Sequence, residues 1–227
     1  MDKQTAVVTG ANRGIGLELC RQLKAAGAEV IATARDPESA TELQALSPAR
    51  IEALDVADPA SVAAFADALG DTAVDLLINN AGIGGPGAGI ANLDIDEIAR
   101  TLNVNSLGPL RVTQALLPNL LRGRRRIVAH ISSNMGSIAN NDQGGYYGYR
   151  ASKTALNSFN RSLAHELRGR GFTCVVLHPG WVQTGMGGES APLTPEASVG
   201  GLMRVLARLS PKHNGRFFDH TGAELPW

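Results

Sequence analysis

Residues 5–16 read TAVVTGANRGIG: a short apolar run, a turn with glycines at 10, 14 and 16, and the opening of a helical pattern. The run at 5–10 predicts a first strand. Ile15, Leu19 and Leu23 recur four apart within residues 14–26, which predicts a helix with one apolar stripe. Strand, glycine turn and helix in this order have a physical use. The glycines permit a tight turn and let backbone approach a pyrophosphate, and the helix N-terminus points its free N–H groups at it. The spacing is not the usual G-x-G-x-x-G, so the flanking strand and helix carry the reading. For this stretch alone a plain glycine turn is the competing reading.

Outward from it the same alternation continues. Further strands are predicted at 28–34 and near 50–54, 74–78, 126–131, 173–178 and 215–218, and longer helices at roughly 95–121, 147–168 and 195–208. Asp36-Pro37 and Asp58-Pro59 each read as an N-cap followed by proline at the first helical position. The strand segments AVV, EVIA, DLLI, RIVAHI and TCVVL are apolar runs more than alternations. Such runs suit strands buried on both faces, and joined by helices they indicate a parallel sheet covered on both sides. The expectation is one α/β domain over residues 1–227, a doubly wound Rossmann-type fold with about seven parallel strands and helices on both faces. Its ligand belongs beyond the C-terminal strand ends.

Composition narrows the function. With 227 residues the chain can bury roughly 70% of its unfolded surface. Lys+Arg and Asp+Glu balance at 21 each, which gives no reason to expect nucleic acid or an anionic membrane as partner. The basic run RGRRR at 122–126 reads as a solvated turn. Cys20 and Cys174 lie in apolar segments and read as a reduced, buried pair. The histidines at 130, 165, 178, 213 and 220 show no paired metal spacing, so no metal is expected, and His178 reads as a packing or capping residue. No apolar run approaches a membrane span, and MDKQTAVVTG has no signal-peptide layout, so a cytoplasmic protein is expected.

The second strand ends TARDP. In dinucleotide folds an acidic residue near this place bonds the ribose hydroxyls, whereas a basic one accommodates a 2′-phosphate. Arg35 follows the strand, Arg13 lies in the glycine turn, and Asp36 reads as a helix cap. Two guanidiniums suit a phosphate, which favours NADP(H) over NAD(H).

A series of motifs then accumulates in one order: TGANRGIG, LDVAD (54–58), NNAG (79–82), NVNSLG (103–108), ISSNMG (131–136), YRASK (149–153) and HPGWVQT (178–184). The series resembles the classical short-chain dehydrogenase/reductase family over nearly the whole chain. SSNMGSI, GGYYGYRASKTALN, PGWVQTGMGG and the terminal LPW resemble its small carbonyl reductases of the sniffer and C-factor type. The resemblance implies a cofactor surface of Gly10, Asn12, Arg13, Gly14, Ile15 and Gly16 in the turn, with Arg35 beside it. It implies an adenine contact at Asp55 and Val56 and a stretch along the cofactor at Asn79, Ala81 and Gly82. Pro179, Gly180, Val182 and Thr184 are implied to flank the nicotinamide, and Tyr149 and Lys153 to reach it as well. Asn105, Ser133, Tyr149 and Lys153 match the family's catalytic tetrad. Ser132 is the rival of Ser133, which opens the S-x-x-G pattern. The interval IANNDQGGYYG before Tyr149 is long, Asp142 within it could line the pocket, and Gly185 stands where related chains often carry Asp.

The tetrad has a chemical logic. Carbonyl reduction needs a hydride at carbon, which the cofactor supplies, and a proton at oxygen. A free tyrosine has a pKa of about 10, and a lysine ammonium nearby is expected to lower it. The i, i+4 spacing puts Tyr149 and Lys153 on one helix face. Tyr-x-x-x-Lys also occurs as a packed ring with a snorkelling amine. Yet only Lys3, Lys24, Lys153 and Lys212 of the 21 basic residues are lysines, so this chain uses arginine where charge alone is needed. A serine hydroxyl can polarise the carbonyl. That Asn105 supports a water linking the lysine to solvent is implied by the resemblance.

The expectation is an NADPH-dependent reductase of small aldehydes, ketones or quinones, with a substrate lid at about 184–198. An NADP(H)-binding sensor with little turnover is the alternative, and a structural Rossmann-like module a third. The resemblance also implies a homodimer or tetramer.

Overall fold

The computed structural model describes residues 4–227; residues 1–3, the start of the segment MDKQTAVVTG, lie outside the described residues. Seven strands form one sheet: β1 (Thr5–Val8), β2 (Glu29–Ala34), β3 (Arg50–Ala53), β4 (Leu76–Asn79), β5 (Ile127–Ile131), β6 (Thr173–His178) and β7 (Phe217–Asp219), in the order β3-β2-β1-β4-β5-β6-β7. Every neighbouring pair is parallel. The expected doubly wound sheet is therefore the fold.

Strand parity divides the core. In β1, Ala6 and Val8 face one layer with Leu19 and Leu23 of α1 (Gly14–Ala25) and Val199 and Leu202 of α8 (Pro195–Arg208). Val7 faces the other, with Phe65 of α3 (Pro59–Leu69) and Ala164 and Leu167 of α7 (Tyr147–Leu167). Both faces of the inner strands β1, β2, β4, β5 and β6 are buried almost throughout, which is why their sequences show apolar runs rather than alternation, whereas β3 and β7 at the sheet edges are partly exposed.

Asp58 and Asp36 part company. Asp58 Oδ1 accepts the Ala60 N–H at 2.9 Å and caps α3, as its Asp-Pro pair predicts. Asp36 caps no helix. Its Oδ1 accepts the Glu38 N–H at 3.1 Å, the Ser39 hydroxyl donates to the Asp36 carbonyl at 3.1 Å, and α2 (Thr41–Leu46) begins only afterwards. These short side-chain bonds close a turn that competes with helix.

The predicted helix at 95–121 is broken. α4 (Ile95–Leu102) runs into a π-helical segment (Asn103–Leu107), then α5 (Gly108–Ala115) and α6 (Leu117–Arg122). Pro109 has no N–H to return to the preceding turn, which contains Asn105. Wide π turns of this kind concentrate at functional sites. The 122–126 turn is more tied down than a solvated run. Arg126 donates to the carbonyls of Leu121 at 3.0 Å and Arg170 at 2.8 Å, Arg125 to that of Leu206 at 3.1 Å, and Arg122 pairs with Asp71 at 2.5 Å. Cys20 and Cys174 are buried free thiols, each pushed up to about 12 by desolvation. No helix among the described residues is long and apolar enough to cross a membrane.

Candidate active site

The C-terminal ends of β1, β4, β5 and β6 are neighbours in the parallel sheet and line up along one edge, where the expected cleft belongs. The glycine turn forms its floor. Gly10 has φ 63°, and a Cβ there would stand 2.8 Å from Ala81 Cα. A Cβ on Gly16 would meet the Gly10 carbonyl at 2.2 Å and Asn80 Nδ2 at 2.5 Å. The turn therefore lies flush against NNAG. The first turn of α1 carries no acidic residue, and Arg13 at its N-cap makes no side-chain cap bond. Gly14, Ile15 and Gly16 thus offer backbone N–H groups that suit a pyrophosphate. Asn12, Arg13 and Arg35 are exposed at this edge.

Asn79 and Asn80 have opposite fates, which the motif alone did not separate. Asn79 shares its parity with Leu77 and points into the packed layer. It is 2% exposed, and its Nδ2 donates to Thr113 Oγ1 at 3.1 Å and lies 3.2 Å from His130 Nδ1. Its side chain does not open onto the cleft. Asn80, one residue on, braces the glycine turn by donating to the carbonyls of Thr9 at 2.9 Å and Gly10 at 3.0 Å. Thr9 Oγ1 in turn accepts the N–H groups of Asn80 and Ala81, each at 3.0 Å. Strand alternation counted from Leu77 is the signal that identifies Asn80. On the adjoining rim, Asp55 Oδ1 accepts the Ala57 N–H at 2.9 Å, and Val56 packs where a Cβ on Gly108 would meet it at 2.8 Å.

Lys153 is 5% exposed, and its Nζ donates to the Ile131 carbonyl at 2.9 Å. It lies 5.8 Å from the Tyr149 ring centroid. Burial lowers its pKa to about 8. Burial of the Tyr149 hydroxyl raises its pKa; a hydrogen bond with Ser133 acts the other way but more weakly, and the net direction is upward. The expected depression of Tyr149 is thus reversed, because desolvation outweighs the Ser133 hydrogen bond. Ser132 turns away: its hydroxyl donates to Asn157 Oδ1 at 2.8 Å under α7. Gly136 of the S-x-x-G pattern lets the turn lie on α7, since a Cβ there would stand 2.8 Å from Lys153 Cβ.

Asn105 is fully buried in the π segment. Its Oδ1 accepts the Ile83 N–H at 2.8 Å, and its Nδ2 donates to the Ile83 carbonyl at 2.9 Å and to Ser152 Oγ at 3.1 Å. A Cβ on Gly82 would lie 3.2 Å from Asn105 Oδ1 and 3.6 Å from Lys153 Nζ, so these three residues meet at one point.

The opposite wall is HPGWVQT. Ser198 donates to the Pro179 carbonyl at 2.6 Å, and Gly180 sits beside His220 and Leu193. His178 is held neutral, its pKa lowered to about 4 by burial first and His220 second. Val182 is buried and bridges Leu193. Thr184 Cγ2 comes within 3.2 Å of a Cβ placed on Gly14, so this wall reaches the glycine turn. Of the expected lid, residues 184–194 form an irregular loop, whereas 195–198 are the first turn of α8. Met186 from this loop would touch a Cβ on Gly84 at 3.5 Å, and Tyr146 one on Gly87 at 3.1 Å. Met186 did not stand out in the sequence, whereas Tyr146 did, with Tyr147, as a possible aromatic patch beside Tyr149. Asp142 is exposed in the interval before Tyr149.

Comparison with known proteins bears on the family and the fold. The family model for short chain dehydrogenases matches residues 4–193. The C-signal protein of Myxococcus xanthus is 52% identical over 164 residues, which is 72% of this chain and 99% of that protein. The NADPH-bound carbonyl reductase from chicken fatty liver superposes with a TM-score of 0.93 at 38% identity, covering 100% of both chains. The carbonyl reductase Sniffer of D. melanogaster superposes with a TM-score of 0.94 at 33% identity, again over 100% of both. This chain belongs to the short-chain dehydrogenase family of oxidoreductases.

Proposed function

We propose that the protein reduces carbonyl groups of small aldehydes, ketones or quinones to alcohols, with NADPH preferred over NADH. The observation that carries this reading is the buried Lys153 ammonium beside a tyrosine already bonded to Ser133, at the mouth of the glycine turn. Bound NADPH supplies the hydride. Ser133 donates to the substrate oxygen and polarises the carbonyl. Tyr149 delivers the proton to that oxygen. Lys153 holds positive charge next to the tyrosine as it loses the proton, and Asn105 keeps the loop at Ile83 and Gly82 closed against the lysine. Arg13 and Arg35 hold the 2′-phosphate.

Oxidation of NADPH, and separately of NADH, against a panel of aldehydes, ketones and quinones tests this, with Tyr149→Phe as control. Turnover that prefers NADPH and collapses in the variant supports it. Tight NADPH binding with no turnover across the panel supports the second reading, a cofactor-binding sensor, which the likeness to C-signal favours. A homodimer through the helices carrying Asn105 and Tyr149 belongs to the same proposal. Light scattering that finds a lone 23.8 kDa species would remove it. Free, buried Cys20 and Cys174 suit a reducing cytoplasm.

A further inference from the structure

We infer that Trp227 is a positioning residue for Ser133, a strap that ties the serine's loop to the last strand of the sheet. The inference rests on the reading of Ser133 as carbonyl anchor. The anchor point is β7. Phe217 is fully buried there, and the Trp227 ring stacks on it with centroids 5.6 Å apart and planes inclined by 24°. Arg161 of α7 lies 5.8 Å from the same ring. The Leu225 N–H donates to the Phe217 carbonyl at 2.8 Å, which holds the approach to Trp227 along the strand.

From this anchor the Trp227 carbonyl oxygen accepts two hydrogen bonds, from the Ala139 N–H at 3.0 Å and from Ser137 Oγ at 3.1 Å. Ser137 Oγ itself accepts the Asn140 N–H at 3.2 Å, and Asn140 Nδ2 donates to Asn134 Oδ1 at 2.7 Å. Asn134 is the neighbour of Ser133 and opens the short 3-10 turn (Asn134–Gly136) that the Ser133 hydroxyl caps through the Met135 N–H at 3.1 Å. A continuous line of bonds thus runs from β7 to the residue beside the serine.

The line matters because residues 137–146 form no regular element, and Ile138 is 72% exposed. A loop with so little buried apolar surface opens readily. The serine next to it must nevertheless hold a hydroxyl within hydrogen-bond reach of Tyr149. Two bonds to a stacked tryptophan supply the rigidity the loop lacks.

The test combines kinetics with hydrogen exchange on the free protein. Trp227→Ala should lower kcat about tenfold for the most rapidly reduced member of the carbonyl panel, part of the roughly hundredfold a 1 Å misplacement can cost. The Kd for NADPH should stay within about twofold, since the strap does not reach the glycine turn. Trp227→Phe keeps a ring on Phe217 and should recover most of the rate. In Trp227→Ala the amides of Gly136, Ser137 and Ala139 should lose protection while those of β1 and β4 keep theirs. Unchanged exchange over 134–140 would overturn the strap, and so would an equal loss of protection across the whole sheet. If Trp227→Ala does not fold, Asn140→Ala cuts the line at Asn134 instead. The rate should then fall, and the amides of Gly136 and Ser137 should lose protection while Ala139, still bonded to the Trp227 carbonyl, keeps its own. Unchanged exchange over 134–137 in that variant would overturn the strap. Full turnover in Ser133→Ala would instead sink the catalytic reading of the serine, and exchange at 134–140 would then judge the strap alone.

Discussion

Lys153 shows how burial and function pull against each other in one residue. Its ammonium is almost wholly desolvated, and its pKa falls to about 8. If that ammonium supports proton donation by Tyr149, reduction should lose rate as pH rises through about 8. Lys153→Arg keeps the charge at all accessible pH, so its slower turnover should lack that alkaline arm. A matching arm in the variant would assign the ionisation elsewhere. Stability has the opposite sign. The folded pKa lies below the unfolded 10.5, so between about 8 and 10.5 the unfolded chain binds more protons and folding is favoured as pH rises. The buried thiols of Cys20 and Cys174 act in the opposite sense above about 9, so the lysine is read as the stability of the parent minus that of Lys153→Met. A value that falls as pH rises over this window would contradict the burial. Arg35 makes a separate prediction. Arg35→Ala should weaken NADPH binding about tenfold or more, the scale of one charge-assisted bond, and leave NADH nearly unaffected. Equal losses for the two cofactors, by titration calorimetry, would remove the 2′-phosphate assignment. Ser133 and Ser132 are adjacent letters with different surroundings, and only the first faces Tyr149.

At the scale of the element, two Asp-Pro pairs with the same letters did different things. Asp58 caps α3, whereas Asp36 closes a turn ahead of α2. Asp58→Ala should therefore cost about 1 kcal/mol of stability, read from urea denaturation. Asp36→Ala should cost less, because it frees one exposed N–H that water can satisfy. The glycine turn is stricter. Gly16→Ala forces a Cβ onto the Gly10 carbonyl and Asn80 Nδ2. It should destabilise the fold by about 1–3 kcal/mol through overpacking and weaken cofactor binding, whereas Gly27→Ala, with open space around it, should leave binding unchanged. The sequence pattern marked the long helix of 95–121 but not its π segment. Helical periodicity records which face is buried and says little about one extra residue per turn.

Across the whole molecule, one sheet with a dry layer on each face holds the elements that carry the candidate catalytic residues along a single edge. Leu77 is fully buried in β4 against the layer that contains Phe65 and Val112. Leu77→Ala should cost about 2–5 kcal/mol, and unfolding should remain one cooperative transition by far-UV and near-UV circular dichroism. Two separated transitions would contradict a single core domain. Distant segments meet only at this scale: Thr184 reaches the turn at Gly14, and Trp227 reaches Ser137.

The strands, the glycine turn and the order of the motifs were legible in the sequence because each depends on neighbours a few residues away. Apolar runs of strand length, a strand leading into glycines and helix, and Tyr149 one turn before Lys153 are local facts, and the first two sufficed for the parallel sheet. What the sequence could not settle depends on which layer a side chain enters and how much water it loses there. Strand parity sends Asn79 into the core and Asn80 to the turn. Desolvation raises Tyr149 against the pull of Ser133. Trp227 becomes part of the serine's surroundings only because the chain after β7 carries it back beside residues 137–139. Burial and long-range contact are properties of the assembled layers, and they have no signature in the spacing of residues along the chain.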